Sequence, residues 1–71
     1  METINYPIIY EIHIKGHLEE SRMRWFEGFS ISQLQNGETV ISGIMDQAAL
    51  HGVLNRIRDI GMVIISVNGH I

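Results

Sequence analysis

Histidine is the residue type with the widest chemistry in this sequence, because an imidazole can carry a proton near neutral pH or bind a metal ion. The 71-residue chain has four histidines, His13, His17, His51 and His70. His13 and His17 are four residues apart, but on a predicted strand this spacing separates two side chains by about 13 Å. No two histidines have a metal-binding spacing on one helix. We therefore expect solvated surface histidines, and we predict no metal site and no cofactor.

The spacing of the eight acidic residues does not identify a catalytic pair of carboxylates. Acid–base catalysis by two carboxylates requires a fixed separation and environments that push their pKa values apart. Asp46 has a simpler role, because it directly precedes a helical pattern and aspartate is a favourable N-cap residue. A small enzyme or metal-binding protein that uses His17 and His51 is the alternative function. It requires these groups to converge on one reacting atom.

Aromatic residues and arginine are concentrated in residues 22–29. This segment holds Trp25, Phe26, Phe29 and two of the arginines. Aromatic residues and arginine dominate binding hot spots, so we predict Trp25 and Phe26 as candidate contacts for a protein partner or a ligand. The alternative is that both rings close one end of a small core.

Alternation and helical periodicity divide the chain into six elements. They are strands over 8–15, 28–34, 38–45 and 62–67, a short helix over 17–26 and a longer helix over 47–60. The last strand is apolar at most positions, which is typical of a central strand or of one covered on both sides. Residues 68–71 are expected to form a tail.

The dipeptide Asn36-Gly37 predicts the turn of a β-hairpin. A two-residue loop would pair Gln35 with Glu38. A three-residue loop with Gly37 in the left-handed conformation would pair Leu34 with Glu38 instead. A slip of one residue moves every side chain to the other face. We favour the three-residue loop, because it collects more apolar side chains on one face.

The order β-α-β-β-α-β is the split β-α-β pattern of the ferredoxin-like fold. We predict one α+β domain over residues 1–71, with an abbreviated first helix and a four-stranded antiparallel sheet. Both helices would cover one face of the sheet and leave the other face open for dimerisation. From the last strand, either Val63, Ile65 and Val67 or Met62 and Ile64 would face outward. The predicted interface residues on that open face are Ile9, Val40, Ile44 and Ile64. A contiguous apolar patch marks an interface, whereas aliphatic side chains scattered singly would need no explanation.

The composition favours a second copy of the chain as the missing source of stability. A domain of this size usually needs a disulfide, a metal or a partner, and the absence of cysteine excludes a disulfide. The net charge of −3 argues against binding to a nucleic-acid backbone. No apolar run approaches the roughly 20 residues of a membrane span. We therefore predict a cytoplasmic homodimer that binds neither nucleic acid nor membranes.

Two segments carry a resemblance to a known family. They are Trp25-Phe26-Glu27-Gly28 and the helical stretch Asp46-Gln47-Ala48-Ala49-Leu50-His51-Gly52. Together with the hairpin and the closing strand, they resemble a family of short uncharacterised prokaryotic proteins over residues 9–67. The resemblance implies a bacterial or archaeal cytosolic protein and no particular activity. The residues it marks for testing are Asp46, Gln47, His51 and Gly52.

The predicted function is a small homodimerising interaction or regulatory module. A small ligand would bind at the turn over residues 16–20 or along the subunit boundary, by analogy with regulatory domains of related topology. The candidate contact residues for a ligand or a partner are His17, Trp25, Phe26, Asp46, Gln47 and His51.

Overall fold

Four strands and two helices lie between residues 6 and 70, which are the residues that this computed structural model describes. The elements are β1 (Ile8–Lys15), α1 (Glu20–Met23), β2 (Ser30–Gln33), β3 (Glu38–Met45), α2 (Gln47–Asp59) and β4 (Ile64–His70), with a 3₁₀ turn at Arg24–Phe26 after α1. The ends of the predicted domain, residues 1–5 and 71, lie outside the described residues. The α+β class and the abbreviated first helix agree with the prediction.

One four-stranded antiparallel sheet forms the framework, with the strand order β2-β3-β1-β4. β1 is central, because its alternating isoleucines face a covered core and its backbone pairs with β3 on one side and β4 on the other. Neither helix in the described part of the chain has the length and apolarity to span a bilayer.

The core lies between one face of this sheet and α2. Ile12, Ile14 and Ile41 are fully buried on the sheet side. The buried stripe of α2 repeats at helical spacing and consists of Leu50, Val53 and Ile57. Full burial of one such side chain contributes roughly 1.5–3 kcal/mol, so these residues are major contributors to the stability of the fold.

The first helix begins at Glu20, three residues later than predicted. Gly16 adopts a positive φ of 99° and Glu19 is extended, so the chain crosses to the helix side as a loop before any helical turn forms. α1 buries no side chain of its own. Leu18 in the loop and Phe26 in the 3₁₀ turn fill the core at this end instead.

The hairpin between β2 and β3 has the predicted three-residue loop. The Leu34 N–H donates to the Glu38 carbonyl at 2.7 Å, and Gly37 has a positive φ of 90°. Ile31 lies opposite Ile41, so both face the core side as this register requires. The register prediction is therefore confirmed.

The last strand differs from the prediction at both ends and in position. β4 runs through His70, so the prediction of a tail from residue 68 is wrong, because β1 offers backbone partners as far as Ile9 opposite His70. β4 is also an edge strand and not a central one. Its apolar side chains are therefore partly exposed to solvent.

For Ile64 the predicted position on the open face needs correction. The pairing of β1 with β4 is irregular between His13 and Ile14, and this shift places Ile64 opposite the fully buried Ile14. Ile64 is half-buried and packs against the core cluster. A simple alternation count cannot find such a shift, because one extra residue changes the face of everything that precedes it.

Substitution by alanine is expected to change the free energy of unfolding in opposite directions at two glycines. A Cβ on Gly43 would lie 2.7 Å from Cδ1 of Phe29, whereas a Cβ on Gly52 in α2 would meet nothing within 4 Å. We expect Gly43→Ala to lower the free energy of unfolding by about 1–3 kcal/mol through overpacking. Gly52→Ala should raise it by about 0.5–1 kcal/mol, because alanine favours a helix. Urea unfolding of the two variants tests both signs, and equal effects would contradict this packing.

Candidate functional site

The open face of the sheet, the face turned away from α2, carries the residues that the sequence singles out for association. Alternation places Ile9, Glu11 and His13 of β1 on this face, since Ile12 and Ile14 point into the core. Their cross-strand neighbours on the same face are Ile44, Ser42 and Val40 of β3 and His70, Asn68 and Ser66 of β4. Three of the four predicted interface residues therefore lie together on the open face, and Ile64 does not.

The apolar part of the open face is its corner at the start of β1. Ile9 pairs directly with Ile44, and the two residues are 49% and 69% exposed. Tyr6 and Pro7 continue this surface, which we call the apolar corner (Tyr6, Pro7, Ile9 and Ile44). A shallow depression of about 240 Å³ lies there, lined also by Ile8 and His70. Such side chains remain in water in a single copy of the chain.

The middle of the open face is a chain of imidazoles and carboxylates. Glu11 lies between His70 and His13, with O–N distances of 3.3 Å and 3.7 Å. The other ring nitrogen of His13 lies 3.5 Å from Glu38. Protonation of either histidine would therefore convert a polar contact into an ion pair on this face.

Sequence reasoning missed this network because its members come from three strands. The registers of β1 with β3 and with β4 bring Glu38 and His70 beside the Glu11–His13 segment. His70 was predicted to lie in a tail, and a correct register for β4 would have found it. Among residues 6–70, no set of three or more histidine or acidic side chains is arranged to hold a metal ion.

The two aromatic candidates have different environments. Phe26 is 1% exposed, whereas Trp25 is 43% exposed. Phe26 is therefore part of the core, and the prediction that it contacts a ligand or partner is corrected by its burial. The Trp25 ring has the Arg22 guanidinium 5.5 Å from its centroid, and Arg56 donates a hydrogen bond to its carbonyl. Of the two candidates, Trp25 is the one that keeps an exposed aromatic surface.

A comparison with family models decides the grouping of the chain. A model described as a domain of unknown function, DUF8691, matches residues 9–68, from β1 to β4. The chain belongs to the DUF8691 family. The matched range agrees with the extent of the resemblance in the sequence, residues 9–67. No curated protein and no solved structure matched the chain.

Asp46 and Gln47 of this DUF8691 chain have structural partners. Asp46 caps α2, as predicted, because its Oδ1 accepts a hydrogen bond from the Ala49 N–H at 2.8 Å. The Gln47 amide donates to the Tyr10 hydroxyl at 3.0 Å and so ties the start of α2 to β1. Both side chains therefore position α2.

The turn after β1 is held by the hairpin. The Thr39 hydroxyl donates to the Gly16 carbonyl at 2.6 Å, and the Gln33 amide donates to the Leu18 carbonyl at 3.2 Å. His17 also points to the hairpin, with Nε2 2.9 Å from the Leu34 carbonyl oxygen. These bonds occupy the carbonyls of Gly16 and Leu18 and one ring nitrogen of His17.

His17 and His51 line no common pocket in the described part of the DUF8691 chain. His17 borders a depression of about 190 Å³ together with Ile60 and Met62, at the carboxyl end of α2. His51 is exposed near the amino end of that helix. Ile60 follows His51 by nine residues, which corresponds to a rise of about 13 Å along the helix. The geometry therefore offers these histidines no shared reacting atom.

The Thr39 hydroxyl predicts a measurable contribution to stability. Thr39 is fully buried, and its hydroxyl bonds the Gly16 carbonyl. Thr39→Val keeps the shape but leaves that carbonyl without this donor, so we expect a loss of about 1–3 kcal/mol in the free energy of unfolding. Urea titration followed by circular dichroism measures it. A valine variant as stable as the unsubstituted chain would show that this anchor is dispensable.

Proposed function

We propose that this chain is a small cytoplasmic interaction module that works as a homodimer, with two copies joined through the open faces of their sheets. We also propose that its fold is ferredoxin-like. The strand order β2-β3-β1-β4 supports that assignment, because it is the order in which two split β-α-β units interleave.

The cross-strand pair Ile9–Ile44 is the observation that carries the dimer. Both side chains are largely exposed, and they adjoin Tyr6 and Pro7 in the apolar corner. A chain of about 60 residues buries only about 60% of the surface that its unfolded form exposes, so it has little stability to spare. Covering the corner with the corner of a second copy removes apolar surface from water and adds the stability that a disulfide would otherwise supply.

The polar part of the open face suits the rim of such an interface. Ser42, Ser66 and Asn68 are short side chains that can exchange hydrogen bonds across two sheets without holding them apart. Glu11 and Glu38 each have a histidine within 3.7 Å. Both carboxylates contact the same imidazole, that of His13, which lies between them on the open face.

Association is better supported than ligand binding or catalysis. The depression beside His17 is about 190 Å³, below the roughly 300–1,000 Å³ of typical small-molecule sites. Two carbonyls of the adjoining turn, those of Gly16 and Leu18, already accept hydrogen bonds from Thr39 and Gln33. We therefore assign no reaction to this chain.

Sedimentation equilibrium over a micromolar concentration series tests the proposal. We expect a mass of at least twice the 8.1 kDa of one chain at the upper concentrations, with reversible dissociation on dilution. A mass of 8.1 kDa at every concentration would contradict the proposal.

A further inference from the structure

β4 has one backbone edge that pairs with β1 and one that faces outward. The Lys15 N–H donates to the Val63 carbonyl at 2.9 Å, so the backbone of Lys15 faces the β4 side. Successive residues of a strand direct their N–H and C=O groups to opposite sides. His13 and Glu11 therefore face β4 as well.

This pairing identifies the backbone groups that lie on the outer edge of β4. Ser66 and Asn68 lie opposite His13 and Glu11, so their backbone groups bond β1. By alternation, Val67 and Gly69 direct their N–H and C=O groups away from the sheet. Since β4 ends the strand order, no other described strand pairs with them.

The side chains along this edge do not prevent it from pairing with another strand. Val63, Ile65 and Val67 are 61%, 48% and 39% exposed. Residues 62–70 contain no lysine, arginine, acidic residue or proline. Natural proteins usually place a charge, a proline or a very short strand at an exposed edge to prevent pairing with another chain. The opposite edge is protected in this way, because β2 has four residues, three of them polar.

We infer that the outer edge of β4 pairs, antiparallel, with the same edge of a second copy and continues the sheet across the two chains. An antiparallel two-fold contact contains every residue of the strand twice, so a charge on β4 would face a like charge across the contact, and an uncharged strand is favoured. β4 carries no formal charge when His70 is neutral, so it meets that condition. The pairing satisfies the outward backbone groups of Val67 and Gly69 and places the exposed side chains of Ile65 and Val67 beside a neighbouring strand.

This edge and the apolar corner are separate surfaces. The corner lies on the face of β1 and β3, whereas the edge contact runs along β4. The edge pairing does not depend on the open-face dimer. If both contacts form with two-fold axes that intersect at right angles, the assembly closes at four chains.

Sedimentation equilibrium of four chains separates the two contacts. They are the unsubstituted chain, Ile44→Lys, Val67→Pro and the double variant. Proline at position 67 removes an outward N–H, which an edge strand tolerates, and leaves the bonds of Ser66 and Asn68 to β1 intact. We expect about 32 kDa for the unsubstituted chain, about 16 kDa for each single variant and 8.1 kDa for the double variant, from a chain mass of 8.1 kDa.

The four masses show which of the two contacts forms and which does not. An unchanged mass in Val67→Pro overturns the edge pairing and leaves the open-face dimer to be judged by Ile44→Lys. A halved mass in Val67→Pro with no change in Ile44→Lys supports the edge pairing and contradicts the open-face dimer. A second variant, Val67→Lys, keeps every backbone donor and introduces a charge at the edge, so it gives the same test if the proline variant does not fold.

Hydrogen exchange gives an independent measurement on the unsubstituted chain. An edge paired with a second copy protects the Val67 and Gly69 amides, so we expect their exchange to slow by roughly tenfold or more as the concentration rises. Exchange that is fast at both amides and independent of concentration would overturn the pairing.

Discussion

Phe26→Ala should lower the free energy of unfolding by about 3–5 kcal/mol, the usual range for removal of a buried phenylalanine ring. Phe26 is almost completely buried and fills the end of the core that α1 is too short to cover. A chain of this length has roughly 4–10 kcal/mol of total stability. The substitution therefore removes a large part of it, and thermal unfolding should shift by roughly 4–8 °C for each kcal/mol.

Trp25→Ala is the matched control for this prediction. The Trp25 ring is partly exposed and its specific contact is a stacked Arg22 guanidinium. A cation–π contact at an exposed site contributes about 0.5–1 kcal/mol, so the Trp25 variant should lose far less stability than the Phe26 variant. Equal losses, or a larger loss for Trp25, would mean that the two rings have been assigned the wrong roles.

Ile44→Lys should separate the open-face dimer. A two-fold interface contains the substituted residue twice, and full burial of each isoleucine contributes up to roughly 1.5–3 kcal/mol. The variant also sets two lysines near one another in the apolar corner. Because each 1.4 kcal/mol changes affinity tenfold, we expect the dissociation constant to rise by about 100-fold.

Asn55→Lys is the control for the added charge. Asn55 is exposed on α2, on the opposite side of the sheet from the apolar corner. This variant should dimerise like the unsubstituted chain, and both lysine variants should keep the same circular dichroism spectrum. If Asn55→Lys weakened the dimer as much as Ile44→Lys, a general effect of charge would explain the result and the open face would lose its support.

Much of the fold could be predicted because local signals and burial agree. The alternation identifies β1, and Asp46 marks the start of α2. The Asn36-Gly37 turn specifies the hairpin and its register. These signals act over a few residues, and tertiary packing reinforces them. The predicted hairpin register was correct because it placed Ile31 and Ile41 together on the core side.

β4 could not be predicted in the same way because its position depends on a partner strand. Asn68 and Gly69 are typical turn residues, yet β1 holds them in a strand as far as His70. The irregular pairing near Ile14 then moved Ile64 from the predicted interface to the core side. The imidazole–carboxylate network depends on the same long-range register, so its four members were not grouped from the sequence.

An isotope-filtered NOE experiment on a mixture of labelled and unlabelled chains tests the open-face dimer most directly. It detects only pairs of protons that lie on different copies. We expect cross-peaks from the methyl groups of Ile44 on one copy to the apolar corner of the other, including Ile9 and Tyr6. Intermolecular cross-peaks confined to other surfaces, or none from the Ile44 methyls at concentrations where the chain is associated, would contradict it.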